Sequence, residues 1–174
     1  MNVQPTLENE NWILRPLMEV DFESLYRVAS NPKVWEQHPN KYRWQREVFQ
    51  IFFKGAMESG GAFLILNKKT NEAIGSTRFY DFSSEDNSIF IGYTFYGTDS
   101  WGKGINAEVK KLMLNYIFDD VNLVKFHVGK DNVRSRIAME RLGAMAYQEI
   151  EVAYYGEPSK VNVEYWIEKT DYLK

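Results

Sequence analysis

The most constraining feature of this 174-residue chain is the run from Trp101 to Glu108, WGKGINAE, which places two glycines between an aromatic, strand-like segment and an amphipathic one. The segment that follows repeats its apolar residues at helical spacing as far as Ile117. Glycine lets the main chain approach an anion closely, and the free N–H groups of a first helical turn carry about half a positive charge. The run therefore predicts a strand, loop and helix that bind a phosphorylated ligand.

Two common phosphate-binding motifs fit this run only in part. Counted from Gly97, the spacing follows a P-loop as far as Lys103, but Gly104 stands where a Ser or Thr hydroxyl holds magnesium. Gly102, Gly104 and Ala107 also follow a loose dinucleotide-binding pattern. That fold needs repeated strand–helix–strand units, whereas the residues before Gly102 have the pattern of hairpin-connected strands. Neither a nucleoside triphosphatase nor a dinucleotide oxidoreductase is therefore favoured.

Hydrophobic periodicity and turn residues divide the chain into seven strands and four helices. The helices are predicted at 21–31 with Asp21 as N-cap, and at about 45–59, 104–118 and 132–142. The strands are predicted at 11–17, 62–66, 73–80, 88–96, 123–128, 145–155 and 160–168. The third helix is predicted to turn Asn106, Lys110, Lys111 and Asn115 away from the core, and Gly92 predicts a bulge or a close backbone approach.

Several stretches, taken in order, resemble one known family. Trp101 to Asn106, the strand from Leu123 to Gly129 and the run from Asn132 to Ala144 (NVRSRIAMERLGA) resemble the GNAT superfamily of N-acetyltransferases, and most closely its ribosomal-protein acetyltransferase (RimJ/RimL-like) branch. Leu14 to Leu17 and the Asp21-Phe22 pair resemble the family's first strand and helix start. The resemblance implies one domain over residues 1–174, with an α/β (α+β) fold. It also implies a mixed, mostly antiparallel sheet of six to seven strands flanked by about four helices.

The resemblance implies acetyl-CoA as the acyl donor and assigns residues to bind it. The pantetheine arm is expected between the Gly92 strand and the Leu123 strand, and the diphosphate at the N–H groups of the glycine run. The expected coenzyme contacts are Thr94, Phe95, Tyr96, Trp101, Gly102, Lys103, Gly104, Ile105, Asn106, Asn132 and Ser135. At Asn106 the family prefers Gly or Ala, so this side chain either crowds the diphosphate or donates to it.

The catalytic groups implied by the resemblance are Ser135, as an acid for the departing thiolate, and Glu108, as a base or a structural residue. Asn132 is expected either to contact the pantetheine amides and cap its helix, or to act as the helix N-cap alone. Phe90 stands where relatives often carry a glutamate base, and Met139 where many carry a tyrosine acid. These two departures keep open a rival reading, a non-catalytic module that binds or senses acyl-CoA.

The acceptor implied by the resemblance is a primary amine, either a protein N-terminus or a small amine. Its pocket is expected beside the loop at 33–44 and the last hairpin. Tyr93, Tyr96, Tyr154 and Tyr155 either line that pocket or pack in the core. Lys103, Arg134 and Arg136 either meet coenzyme phosphates or are ordinary solvated charges.

Composition sets further expectations. With 44% hydrophobic residues and no cysteine, the chain is expected to fold without disulfides, and His38 and His127 are too few for a typical zinc site, so we expect no metal. A formal net charge of −3 without basic blocks argues against nucleic acid as a partner. No apolar run approaches a membrane span and no export signal is present, so we expect no membrane contact and a cytoplasmic location. A homodimer is kept as a candidate assembly.

Overall fold

One sheet of eight strands forms the frame of the protein in a computed structural model that describes residues 1–154 and 156–174. The strands are β1 (Leu7–Glu8), β2 (Trp12–Pro16), β3 (Ala62–Asn67), β4 (Ala73–Ser83), β5 (Ser88–Tyr96), β6 (Leu123–Gly129), β7 (Met145–Ala153) and β8 (Ser159–Glu168). The helices are α1 (Phe22–Ala29), α2 (Arg46–Ser59), α3 (Ile105–Ile117), α4 (Val133–Leu142) and α5 (Lys169–Tyr172). The predicted fold class is confirmed. The prediction missed two elements too short for a periodic pattern, strand β1 and helix α5.

The order of strands is β1-β2-β3-β4-β5-β6-β8-β7. Strands β2 to β5 form the predicted antiparallel meander, and β5 and β6 run parallel because helix α3 connects them. Strands β7 and β8 form the closing hairpin, and β8 pairs with β6. Among the described strands the single parallel pair lies in the middle of the sheet, and the glycine run follows its first strand, β5, along the chain.

Two apolar clusters lie on opposite faces of the sheet. On one face, helix α3 packs Val109, Met113 and Ile117 against residues such as Ile91 and Val124. On the other face, which we call the aromatic face, α1 and α2 pack rings against β3 and β5. The rings of this cluster include Phe22, Trp35, Phe49, Phe52, Phe53 and Phe95. Both faces of the strands next to the parallel pair are therefore covered.

The parallel pair separates after three residue pairs. Ser88, Ile89 and Phe90 lie opposite Leu123, Val124 and Lys125, and the two strands diverge beyond that point. The register of β4 and β5 shifts just there, between the pairs Arg78–Gly92 and Ser76–Phe95. Tyr93 takes a left-handed backbone conformation with φ of 53°. The bulge predicted from Gly92 is confirmed, and it bends β5 away from β6 to open a gap.

Asp21 stabilises its turn in a different way from the one predicted. It precedes helix α1, but its carboxylate makes no capping hydrogen bond to that helix. It accepts instead from the Met18 N–H at 2.8 Å and from two guanidinium nitrogens of Arg15 at 2.9 and 2.8 Å. The pKa of Asp21 is lowered because these hydrogen bonds outweigh the cost of its burial. The carboxylate therefore joins β2 to the start of α1.

We expect Phe49→Ala to lower the free energy of unfolding by about 3–5 kcal/mol, because Phe49 is fully buried in the aromatic face and truncation leaves a cavity. Chemical denaturation monitored by circular dichroism measures this change. Gln50→Ala, at the exposed next position of the same helix, is the control and should change stability by less than about 0.5 kcal/mol. Equal losses in the two variants would contradict the assignment of this core.

Candidate active site

A cavity of about 410 Å³ opens where β5 and β6 separate. Its walls come from the end of β5, the glycine run, β6, α4 and the loop before α2. Ten of the eleven residues expected to contact coenzyme line it: Thr94, Phe95, Tyr96, Trp101, Gly102, Gly104, Ile105, Asn106, Asn132 and Ser135. Lys103 is exposed and does not line the cavity. The topology thus brings residues from three separate segments of the chain to one cleft.

The glycine run turns into helix α3 through two left-handed residues. Gly102 and Gly104 have φ of 72° and 74°, values that residues with a side chain rarely adopt. Gly104 is the N-cap of α3 and supplies no side chain to the first turn. The N–H groups of Ile105, Asn106 and Ala107 therefore have no helical acceptor, and these three residues line the cavity. Such a turn can hold a diphosphate.

Asn106 directs its side-chain oxygen toward the sheet. Its Oδ1 accepts from the hydroxyl of Tyr96 at 2.9 Å and from the ammonium of Lys110 at 3.0 Å. Its Nδ2 donates to no other residue in the described part of the chain. Of the two alternatives for Asn106, this arrangement favours the donor, because only an N–H group remains available to a ligand.

Lys110 is buried, although we predicted it on the polar outer face of its helix. Only 2% of the residue is exposed, and its Nζ lies 3.1 Å from the Thr94 hydroxyl. No carboxylate pairs with it in the described residues, and burial lowers its pKa to about 7. The sequence contained a hint of this position, because Lys110 lies four residues, about one helical turn, after Asn106, which was expected to contact the coenzyme.

Helix α4 supplies the opposite wall. The Asn132 side chain accepts from the Ser135 N–H at 3.2 Å, so its predicted role as N-cap is confirmed. Ser135 is half-buried and Met139 almost fully buried, and both line the cavity. Thus Asn132 fixes the start of the helix that carries the Ser135 hydroxyl.

The two arginines of α4 differ in their surroundings. The guanidinium carbon of Arg134 lies 3.7 Å from the ring centroid of Trp101, and both residues line the cavity. Arg136 instead donates to the Tyr165 hydroxyl and the Lys130 carbonyl. It does not line the cavity. Of the two, only Arg134 is placed to meet a ligand.

Glu108 lies outside the cavity. Its Oε1 accepts from the side-chain amides of Asn9 and Asn11 at 3.2 and 3.4 Å. These contacts join α3 to the turn between β1 and β2. Of the two readings of Glu108, the geometry favours the structural one.

A histidine that sequence reasoning considered only as a metal ligand lines the cavity instead. The Nε2 of His127 lies 2.8 Å from Oε1 of Glu164, a buried carboxylate on β8. The His127 ring also contacts Phe90, with centroids 4.5 Å apart. Because the carboxylate holds Nε2–H, Nδ1 is left as the basic nitrogen. Residue spacing could not reveal this pair, since β6 and β8 meet only in the folded sheet.

The aromatic face contributes the wall farthest from helix α3. Tyr93 and Tyr154 line the cavity there, with rings nearly perpendicular and centroids 5.5 Å apart. Desolvation, with the charges of Arg43 and Arg134, holds the pKa of His38 below its usual range, so this wall carries a neutral imidazole. Tyr155, the fourth tyrosine proposed for this pocket, lies outside the described residues.

The charges around the cavity have one sign. Among the described residues that line it, none is an Asp or Glu. The basic side chains lining it are Arg43, Lys110, Arg134 and Arg141. A cavity of this kind attracts anionic ligands such as phosphorylated coenzymes. In the described residues no cluster of His, Asp and Glu could hold a metal ion, and no helix is long and apolar enough to cross a membrane.

Comparison with known proteins identifies the family. A family model described as an acetyltransferase (GNAT) domain matches residues 11–145. The chain belongs to the GNAT acetyltransferases. A GNAT domain of this kind is an acetyl-CoA-dependent N-acetyltransferase.

Relatives of this GNAT domain agree with that assignment. An uncharacterized N-acetyltransferase p20 from Bacillus licheniformis is 26% identical over 151 residues, which cover 83% of each chain. The structure of a GCN5-related N-acetyltransferase from Brucella melitensis has a TM-score of 0.84 at 16% identity, over 98% of this chain and 81% of that one. A spermidine N-acetyltransferase from Vibrio cholerae, solved with CoA and spermine, has a TM-score of 0.70 at 15% identity, over 95% and 100% of the two chains. The two structures show that the fold is shared.

Burial of Lys110 predicts a specific dependence of stability on pH. Its pKa is lowered to about 7 in the fold, from 10.5, so between these values the unfolded chain binds the extra proton and stability rises with pH. Relative to Lys110→Met, the wild-type free energy of unfolding should increase by about 2 kcal/mol from pH 7 to pH 9. Lys111→Met, at an exposed position, is the control and should follow the wild type. Parallel pH profiles for the wild type and Lys110→Met would contradict the prediction.

Proposed function

We propose that this GNAT domain transfers the acetyl group of acetyl-CoA to a primary amine by direct attack of the amine on the thioester. The observation that carries the proposal is the cavity where β5 and β6 separate, which opens beside the unpaired N–H groups of helix α3. A spermidine N-acetyltransferase of the same fold was solved with CoA and spermine, which supports the binding of a coenzyme and an amine by this fold.

The coenzyme is proposed to lie along the cavity from the glycine run to the bulge of β5. The N–H groups of Ile105 and Asn106, assisted by the Asn106 amide, would hold the diphosphate. Arg134 adds positive charge from the opposite wall, and Lys110 adds positive charge from α3 when it is protonated. Main-chain groups of the segment from Thr94 to Tyr96 would hold the pantetheine arm and polarise the thioester carbonyl, because the β5 edge that faces β6 has no strand pairing beyond Phe90.

The amine would approach from the aromatic face. As its nitrogen bonds to the thioester carbon and the carbon–sulfur bond breaks, the amine loses a proton. Nδ1 of His127 would accept that proton, because Glu164 orients the ring and leaves this nitrogen basic. The Ser135 hydroxyl would relay a proton from water to the departing thiolate, and His127 would then release its proton to solvent.

This assignment changes the catalytic residues expected from the resemblance. Ser135 keeps the proposed role of acid. Glu108 is proposed as a structural residue, since its carboxylate is held by Asn9 and Asn11. His127 would replace the base missing at Phe90, which removes the main reason for considering a non-catalytic acyl-CoA sensor. A water molecule would take the proton if His127 were absent, at a lower rate.

The remaining expectations stay predictions. They are a single domain over residues 1–174, the ribosomal-protein acetyltransferase branch, a cytoplasmic location and a homodimer. The two acceptors predicted from the resemblance, a protein N-terminus and a small amine, also stay open.

The reaction can be tested by measuring acetyl-CoA binding by calorimetry and CoA release with a panel of amines. We expect micromolar binding and acceptor-dependent release of CoA. Binding without turnover on any amine would favour the sensor, and absence of binding would contradict the proposed site.

We expect His127→Gln to lower kcat by about 10²–10³-fold with little change in KM for acetyl-CoA, because a positioned base contributes about this much. Glu164→Gln should cause a smaller loss of kcat, since the carboxylate orients the ring but does not itself take the proton. Steady-state kinetics from pH 5.5 to pH 9 measure both effects. Glu151→Gln, at an exposed position of β7, is the control. An unchanged kcat in His127→Gln would exclude His127 as the base.

A further inference from the structure

Lys110 places a buried amine in the wall of the cavity. The residue is only 2% exposed, yet it lines the cavity together with Thr94 and Asn106. Its Nζ lies 3.1 Å from the Thr94 hydroxyl and 3.0 Å from Oδ1 of Asn106. Asn106 belongs to the first turn of α3, whose N–H groups are proposed to hold the diphosphate. The amine therefore lies next to the expected position of an anion.

The hydrogen-bond partners of this amine suit its neutral form better than its charged form. An ammonium has three N–H donors, whereas a neutral amine has two donors and one lone pair. In the described part of the chain Nζ has two acceptors, the Thr94 hydroxyl and Asn106 Oδ1. The Thr94 hydroxyl is free to accept because its own proton can be donated to the Thr77 hydroxyl, 2.9 Å away. A third N–H therefore has no acceptor among these residues, and a ligand would have to provide one.

The titratable groups that face Lys110 do not stabilise its positive charge. Burial lowers the Lys110 pKa to about 7, and no neighbouring charge adds to or opposes this shift. On β5, burial raises the pKa of Tyr96, which stays neutral and donates to Asn106. Across the cavity, α4 presents two cations, Arg134 and Arg141. None of these groups can serve as a counter-ion.

The carboxylates of the neighbouring elements are directed elsewhere. On α3, Glu108 accepts from the turn between β1 and β2 and does not line the cavity. On β1, Glu8 pairs with Lys68. On β6, His127 points to the other face of the sheet, where it meets Glu164, because its two neighbours in the strand pack in the cluster of α3. Within the described chain, a negative charge beside Lys110 would therefore have to come from a ligand.

Resting on the proposed binding of acetyl-CoA, we infer that Lys110 binds the coenzyme diphosphate as an ammonium and takes up a proton from solvent when the coenzyme enters. Above about pH 7 the amine of the free protein is mostly neutral, and both of its N–H donors are satisfied. The diphosphate supplies the negative charge and the oxygen acceptor that the ammonium lacks, so it favours the charged form. Lys110 is then a coenzyme-binding residue and takes no part in removing the proton of the acceptor amine.

Proton uptake makes the affinity for acetyl-CoA depend on pH. Well below pH 7, Lys110 is charged with or without coenzyme, so binding takes up no proton at this residue. Above pH 7 the free protein has lost the proton and must regain it on binding, so the affinity falls as the pH rises. We expect Kd for acetyl-CoA to increase by about 10-fold or more from pH 7 to pH 9.

Calorimetry at pH 8 in Tris and in HEPES measures the uptake directly, because the buffer supplies the proton and its heat of ionisation enters the observed enthalpy. We expect the wild type to take up about half a proton or more per acetyl-CoA bound. Acetyl-3′-dephospho-CoA, which keeps the diphosphate, should give the same uptake. S-Acetylpantetheine, which lacks the diphosphate, should give none, and uptake equal to that of acetyl-CoA would overturn the assignment.

Variants assign the proton to its residue. Lys110→Met should abolish the uptake, weaken acetyl-CoA binding most near pH 7 and make Kd independent of pH. Lys110→Arg, which stays charged, should bind acetyl-CoA without uptake. Lys111→Met, at the exposed next position, is the matched control, and His127→Gln removes the other basic group proposed to titrate in the cavity. Both should keep the wild-type uptake, and circular dichroism checks that each variant folds.

The outcomes separate this inference from the proposed reaction. Uptake that depends on Lys110, without turnover on any amine, would support the inference and contradict the proposed transfer. Binding of acetyl-CoA to the wild type without uptake would overturn the inference and leave the transfer intact. Uptake that persists in a folded Lys110→Met variant, or that is lost in His127→Gln, would also overturn it. Absence of acetyl-CoA binding would contradict both.

Discussion

The brief pairing of β5 with β6 is the constraint on which the rest of the structure depends. Three residue pairs hold the strands together, and the bulge at Tyr93 then turns β5 away. Because main-chain groups freed from a sheet must find other partners, the opened strand edges can bind a ligand that supplies them. The start of α3 and the N-cap of α4 face the same opening, so a gap in the sheet becomes a cleft with donors on both walls.

Positive charge without matching carboxylates is the second unusual property of the cleft. Lys110 is buried against Thr94 and Asn106 and has no acidic partner among the described residues. A charge removed from water is costly unless it is paired. Such a group favours an anionic ligand, as the phosphates of the proposed coenzyme would be.

Sequence reasoning succeeded where a residue acts through its neighbours in the chain. The glycines of the run, the cap at Asn132 and the bulge near Gly92 all depend on local backbone geometry, and each was predicted correctly. It failed where partners come from distant segments. Lys110 was assigned to the outer face because apolar periodicity does not show that the Thr94 hydroxyl on β5 accepts a hydrogen bond from it. The pair of His127 with Glu164 exists only because β6 lies beside β8.

By itself, the sequence determined the family, the order of most strands and helices, and a glycine-rich turn at the start of α3, since all of these follow from short motifs and apolar spacing. Only the tertiary structure decided which ionisable groups face the cleft and which partners they have. The reason is physical: the charge state and reach of a side chain depend on its burial and on atoms brought near it by folding, and strand pairing in this sheet joins residues far apart in the chain.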